Sequence, residues 1–128
     1  MKIERFEDIR CWKLARELTR WIYEKSSRGE FARDHGLNSQ MQRAAVSIMS
    51  NIAEGFDRSS NKEFAQFLSV AKASCAELRS HLYVALDNGY ITQADMNAAS
   101  TMCEEVAGCI ANFIKYLKSS KMKGKRYA

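Results

Sequence analysis

A chain of 128 residues is long enough for one domain with a single core and needs no disulfide or metal staple. Proline is absent and glycine numbers only 6, which excludes collagen-like and loop-dominated scaffolds, and no stretch approaches the roughly 20 apolar residues that span a bilayer. The net charge of +5 is concentrated at one end: residues 115–128 hold six basic side chains and no acid, leaving 14 basic against 15 acidic residues elsewhere, a body of net −1.

The opening MKIERFEDIR is charged where a secretory signal would be apolar, so a cytoplasmic protein is expected. The first helix is predicted to begin near Phe6–Asp8, with Glu7 and Asp8 at the positive end of its dipole. Cys11, Leu14, Ala15, Leu18, Trp21 and Ile22 recur on one arc and mark its core face. The opposite arc carries Arg10, Lys13, Arg16 and Arg20, interleaved with Glu17 and Glu24. Such an arc is either a solvated face laced by i,i+3 and i,i+4 ion pairs or a binding surface. Trp12 and Tyr23 lie off the apolar arc beside Arg16, a combination suited to a protein or nucleic-acid partner. The helix ends near Ser26–Gly29, and GEFARDHG reads as a turn or loop with Phe31 folded back onto the core.

Three further helix starts are predicted from capping boxes: Ser39-x-x-Gln42, Ser60-x-x-Glu63 and Thr92-x-x-Asp95, each followed by a helical apolar pattern. The second helix has its core stripe at Leu37, Met41, Ala45, Ile48, Ile52 and Phe56. Arg43, Ser47, Ser50 and Glu54 fall opposite, with Asn51 at the flank, and the many small residues let neighbouring backbones approach closely. Glu54, if buried against Asn51 and a base such as Arg58, suits a structural polar network better than a catalytic acid.

The third helix carries a heptad seam of Phe64, Leu68, Ala71, Cys75, Leu78, Leu82 and Ala85, widened by Phe67 and Leu86, and Asn88-Gly89 stops it. Its back holds only small residues, Ser69, Ala73, Ala76 and Ser80, again at heptad spacing. They are either a solvated face or the seat of a helix from a second subunit. The fourth helix runs from about Gln93 to about Ser120, with Ala99, Met102, Val106, Cys109, Ile110, Phe113 and Leu117 inward. Gly108 on its polar face is explained either by something approaching closely there or by neutral drift. Residues 1–118 thus form the helical domain, and residues 119–128 a basic tail expected to be disordered.

Cys11, Cys75, Cys103 and Cys109 form no C-x-x-C pair and no close ligand pair with His35 or His81, so they read as reduced core thiols. No metal, cofactor or redox site is expected. Four amphipathic helices joined by short connections predict an all-α, antiparallel, up-down-up-down four-helix bundle.

The run Gln40-Met41-Gln42-Arg43-Ala44-Ala45-Val46-Ser47-Ile48, followed by Ser50-Asn51-Ile52-Ala53-Glu54-Gly55-Phe56, resembles the signature of the bacterial 23S rRNA-intervening sequence proteins. Phe6, the Trp12 region and Gly36-Leu37 upstream fit the same pattern. So do Arg58, Glu63-Phe64, Phe67-Leu68, Ala71, Ser74, Glu77-Leu78 and Gly89-Tyr90-Ile91 downstream. Met49 departs from it, standing where that family usually has proline, which leaves the local helix geometry open. The resemblance implies a four-helix bundle assembled into a homo-oligomer, a pentameric ring in known relatives. Some relatives are encoded within insertions in large ribosomal RNA genes. A distant group serves diversity-generating retroelements, binding a reverse transcriptase and nucleic acid.

Two functions follow as expectations. The first is a non-enzymatic oligomer that binds RNA or DNA through Arg10, Lys13, Arg16 and Arg20 and through Lys115, Lys118, Lys121, Lys123, Lys125 and Arg126. The second is a scaffold whose protein partner, such as a reverse transcriptase or a ribosomal component, recognises the oligomer. The family-motif residues Arg43, Ser47, Ser50, Asn51, Glu54, Gly55 and Arg58 would be structural or form its interface, with Ser69, Ala73, Ala76 and Ser80 joining the subunits. No Ser/His/Asp grouping or phosphate loop points to an enzyme.

Overall fold

The structure, a computed structural model, describes residues 3–119. A 3₁₀ turn at Phe6–Asp8 leads into five helices: α1 (Arg10–Ser26), α2 (Gly29–Arg33), α3 (His35–Phe56), α4 (Asn61–Asp87) and α5 (Gln93–Lys118). The described residues are all-α and contain no strand. The four long helices form a helical bundle around one core, with α3 packed on α1 and α4, and α5 on α4 and α1.

Core positions follow the apolar periodicity. Met41, Ala45, Ile48 and Ile52 of α3 are fully buried, as are Phe64, Leu68, Ala71, Leu78, Leu82 and Ala85 of α4. Cys11, Ala15, Leu18 and Ile22 fill the core from α1, and Ala99, Val106, Ile110 and Leu117 from α5. Leu14, Trp21, Leu37, Met102, Cys109 and Phe113 pack against this core half-buried.

The helix boundaries depart from expectation in three places. The 3₁₀ turn at Phe6–Asp8 is separate from α1, because Ile9 is extended and buried and breaks the helical run. The segment predicted as a loop contains α2, and its Phe31 is buried and stacked on Tyr90 at 5.2 Å. Ser39 does not begin a helix. Asp34 caps α3 upstream of it, its carboxylate accepting from the Leu37 N–H at 3.1 Å, while its second oxygen accepts from the Tyr90 hydroxyl at 2.9 Å. Gln42, predicted to close a box with Ser39, instead donates to Asn38 Oδ1 and Ser26 Oγ.

Of the other two boxes, Thr92–Asp95 forms reciprocally as predicted, whereas at Ser60 only the cap half forms, the Ser60 hydroxyl accepting from the Glu63 N–H. Gly89 takes φ +76°, and the next amide, Tyr90 N–H, reaches back to the Ala85 carbonyl at 2.9 Å, closing α4. The helix α3 runs through Met49 without interruption, and Met49 packs half-buried on the core.

Candidate nucleic-acid interface

Side-chain contacts fix which ends of the helices meet. Cys11 at the start of α1 touches Cys109 near the end of α5, while Lys25 at the far end of α1 pairs with Asp95 at the start of α5, 3.4 Å apart. Asn61 at the start of α4 reaches the Leu117 carbonyl, and Phe64 packs edge-on against Phe113 at 5.2 Å. Phe56, the last residue of α3, meets the same Phe64. The beginning of α1, the α3–α4 connection and the end of α5 therefore share one end of the bundle.

That end gathers Arg10, Lys13, Lys115 and Lys118, all exposed. Lys121, Lys123, Lys125 and Arg126, expected to take part, lie outside the described residues. The Asp8 carboxylate is used internally, accepting from the Glu4 and Arg5 amides. Among the described residues, Arg10 and Lys13 have no ion-pair partner. Glu4, Glu7, Asp57 and Glu63 stand at this end as well, so its surface is mixed in sign rather than a uniform basic field.

The rest of the basic arc of α1 is differently engaged. Arg16 lies over the Trp12 ring at 5.8 Å, and Phe6 packs edge-on against the same indole at 5.1 Å. Arg20 pairs with Glu17 at 3.5 Å across one turn, both side chains largely exposed. By rise alone, Arg20 lies about 15 Å along the helix from Arg10. The arc thus divides into a free basic start, an arginine held on tryptophan, and a neutralised far end.

Sequence reasoning overlooked Lys62. It lines, with Asn61, Gln66 and Lys118, a cleft of about 430 Å³ between the start of α4 and the end of α5. The Ser60 cap was the available signal, because it places Lys62 in the first turn of a helix whose start must meet the end of its neighbour.

The polar run of α3 has a structural placement. Ser47 Oγ and Ser74 Oγ of α4 are 3.0 Å apart, and the Asn51 amide donates to both the Ser47 carbonyl and its hydroxyl. Glu54 is exposed and Asn51 is committed to Ser47, so the expected buried pairing of Asn51 with Glu54 does not form. Arg58 lies over the Phe67 ring at 4.6 Å. Gly55 is buried against Phe64 and Phe67 of α4, Ser50 is half-buried, and Arg43 is exposed. On the α1 side the Thr19 hydroxyl reaches the Ala45 carbonyl at 3.3 Å, the close approach that the small residues of α3 permit.

Ser69, Ala73, Ala76 and Ser80 are all exposed on the outer face of α4. The same helix also exposes Val70 and Tyr83, each at 50%, and Val84 at 43%. Gly108 is exposed with nothing within 4 Å of a Cβ built on it, so within the described residues nothing approaches it closely.

The cysteines do not behave as four equivalent core thiols. Burial pushes Cys75 and Cys103 each up to about 12. Cys11 and Cys109, 98 residues apart in sequence, have their sulfurs 2.8 Å apart. Among the described residues, no helix is long and apolar enough to cross a membrane, and no group of three or more His, Cys, Asp or Glu is placed to hold a metal ion.

The family model described as 23S rRNA-intervening sequence protein matches residues 7–112. No curated protein matches the chain.

Proposed function

The chain belongs to the 23S rRNA-intervening sequence protein family, and from that premise we propose that it is a non-enzymatic, cytoplasmic oligomer that holds RNA or DNA at one end of its bundle. The observation that carries this reading is the Cys11–Cys109 contact, which brings the free basic start of α1 alongside the basic end of α5. Arg10, Lys13, Lys62, Lys115 and Lys118 supply charge for phosphate contacts, and Trp12 with Arg16 beside them supplies a ring and a guanidinium plane for stacking on bases. Each phosphate neutralised releases counterions, so affinity falls steeply with salt. A ring of subunits repeats this end several times and gains avidity from it.

The helix order behind this surface is read as up-down-up-down. It is supported by the opposed numbering of the paired residues: Cys11 with Cys109 and Lys25 with Asp95, Ser47 with Ser74 and Phe56 with Phe64, Phe64 with Phe113 and Arg79 with Glu104. The test of function is a salt titration of RNA and DNA binding by the full chain and by a chain ending at residue 118. Binding that weakens with salt and again with the truncation supports the reading; affinity indifferent to both removes it.

A second reading has its own observation. Val70, Tyr83 and Val84 stand exposed beside Ala73 and Ala76 on α4, a face that suits a second copy of the chain or a protein partner. In this reading the oligomer, a pentameric ring as the family resemblance implies, is a scaffold recognised by a protein such as a reverse transcriptase or a ribosomal component.

A further inference from the structure

We propose that Cys11 and Cys109 form a dithiol site that reduces a small-molecule disulfide and closes into a Cys11–Cys109 bond. The two sulfurs face each other across the α1–α5 seam at 2.8 Å, so a disulfide of about 2.05 Å requires them to close by less than an ångström. A cavity of about 440 Å³ opens beside them, with Ile9 and Phe113 as apolar wall and Arg10, Asn112 and Tyr116 as polar rim. Cys11 is buried and Cys109 half-buried, so the two have different access to a reagent in that cavity. Cys75 and Cys103 are buried and line neither this cavity nor the cleft at Lys62 and Lys118.

The local electrostatics assign the roles. The Cys11 thiol donates its hydrogen bond to Cys109 Sγ; that bond, helped by Arg10, holds Cys109 at about 7 against the opposing effect of burial. The same bond, with burial, pushes Cys11 far up, so Cys109, also the more accessible of the two, is the first to ionise. Arg10 is the one charged side chain lining the cavity among the described residues, and Tyr116 is the other titratable group there besides the cysteines. No acid among the described residues lines the cavity from either helix to oppose the thiolate.

The reaction takes a low-molecular-weight disulfide, RSSR, in two exchanges. Cys109 thiolate attacks one sulfur, forming Cys109–S–SR while RS⁻ leaves with the electron pair of the broken bond. Cys11 then gives its proton to solvent and attacks Cys109 Sγ, forming the intramolecular bond and expelling the second RS⁻. The two protein thiols are oxidised by two electrons, and RSSR is reduced to two RSH once the leaving thiolates take up protons. In a reducing compartment such a bond is a transient, redox-responsive state rather than a permanent staple.

The test incubates the reduced full chain with oxidised glutathione at neutral pH, followed by intact mass and non-reducing peptide mapping. Wild type should lose two hydrogens per chain with no retained adduct, and the bond should map to Cys11 and Cys109. Cys11→Ser should stop with one glutathione on Cys109, and Cys109→Ser should take none. Wild type that keeps four free thiols, or an adduct or bond on Cys75 or Cys103, overturns the proposal. A second measurement needs no variant: alkylation of wild-type Cys109 should be half-maximal near pH 7. A rate that rises only around the ordinary thiol value of about 8.5 overturns the assignment of Cys109 as the attacking group.

Discussion

A Cβ placed on Gly55 would sit 2.7 Å from Phe64 Cδ1 and 2.8 Å from Phe67 Cβ, so α3 closes on α4 at a point where only glycine fits. Phe64 cannot swing away, because it is fully buried and wedged between the Phe56 and Phe113 rings. The Phe67 Cβ is fixed by its own backbone.

Two glycine-to-alanine changes should therefore have opposite signs. Gly55→Ala gains helix propensity of about 1 kcal/mol but forces overpacking that costs roughly 1–3 kcal/mol, and the immobile neighbours place it at the upper part of that range. A net loss of about 1–2 kcal/mol in urea denaturation is expected. Gly108→Ala meets nothing within 4 Å on an exposed helical face and should gain about 0.5–1 kcal/mol. Equal effects at the two positions would contradict the close approach of α3 and α4.

The Thr92–Asp95 box gives a pH dependence of defined sign. The Asp95 carboxyl lies below its ordinary 3.8, chiefly because the Thr92 backbone N–H donates to it, with the Thr92 hydroxyl and Lys25 adding to the effect against some burial. A carboxyl lowered by folding contributes stability that is full above the ordinary value and is lost as pH falls through the folded value. Asp95→Asn should flatten the decline of the thermal midpoint below about pH 4. Thr92→Ala should cost about 1 kcal/mol at neutral pH. An unchanged acid limb in Asp95→Asn would show that the box does not contribute.

The apolar seams of the long helices were legible in the sequence because burial imposes a helical period: Phe64, Leu68, Ala71, Cys75, Leu78, Leu82 and Ala85 are all in the core. Capping was legible where the cap is local, as at Ser60 and Thr92. It misled at Ser39, because the true cap, Asp34, is selected by its second bond to Tyr90, 56 residues away. The Cys11–Cys109 contact and the requirement for glycine at residue 55 depend on the distance between two helices, which no single-helix pattern encodes. For the candidate site, the basic residues of α1 and α5 were visible one by one. Their gathering at one end with Lys62 required the fold, whereas the pairing of Arg20 with Glu17 is an i,i+3 contact within one helix that the sequence already offered.

The outer face of α4 separates the scaffold reading from simple solvation. Ala73→Trp with Ala76→Trp changes two exposed positions, so helical content by circular dichroism should stay at the wild-type level. If that face joins subunits, native mass spectrometry should show a smaller assembly. An assembly of unchanged size would remove α4 as the subunit interface.

Nucleic-acid binding at the basic end of the bundle is open to a direct test. Replacing Arg10, Lys13, Lys115 and Lys118 with glutamine removes four exposed charges from that end, whereas Arg33→Gln, at the opposite end and paired with Glu30, removes one elsewhere. The measurement is the slope of log affinity for single-stranded RNA against log salt concentration. Wild type and Arg33→Gln should both show a steep negative slope. The four-residue variant should bind more weakly at every salt concentration, with a slope shallower by roughly 0.7 for each phosphate it no longer neutralises. A four-residue variant that binds as wild type does, with the same slope, would rule out the basic end as the nucleic-acid site.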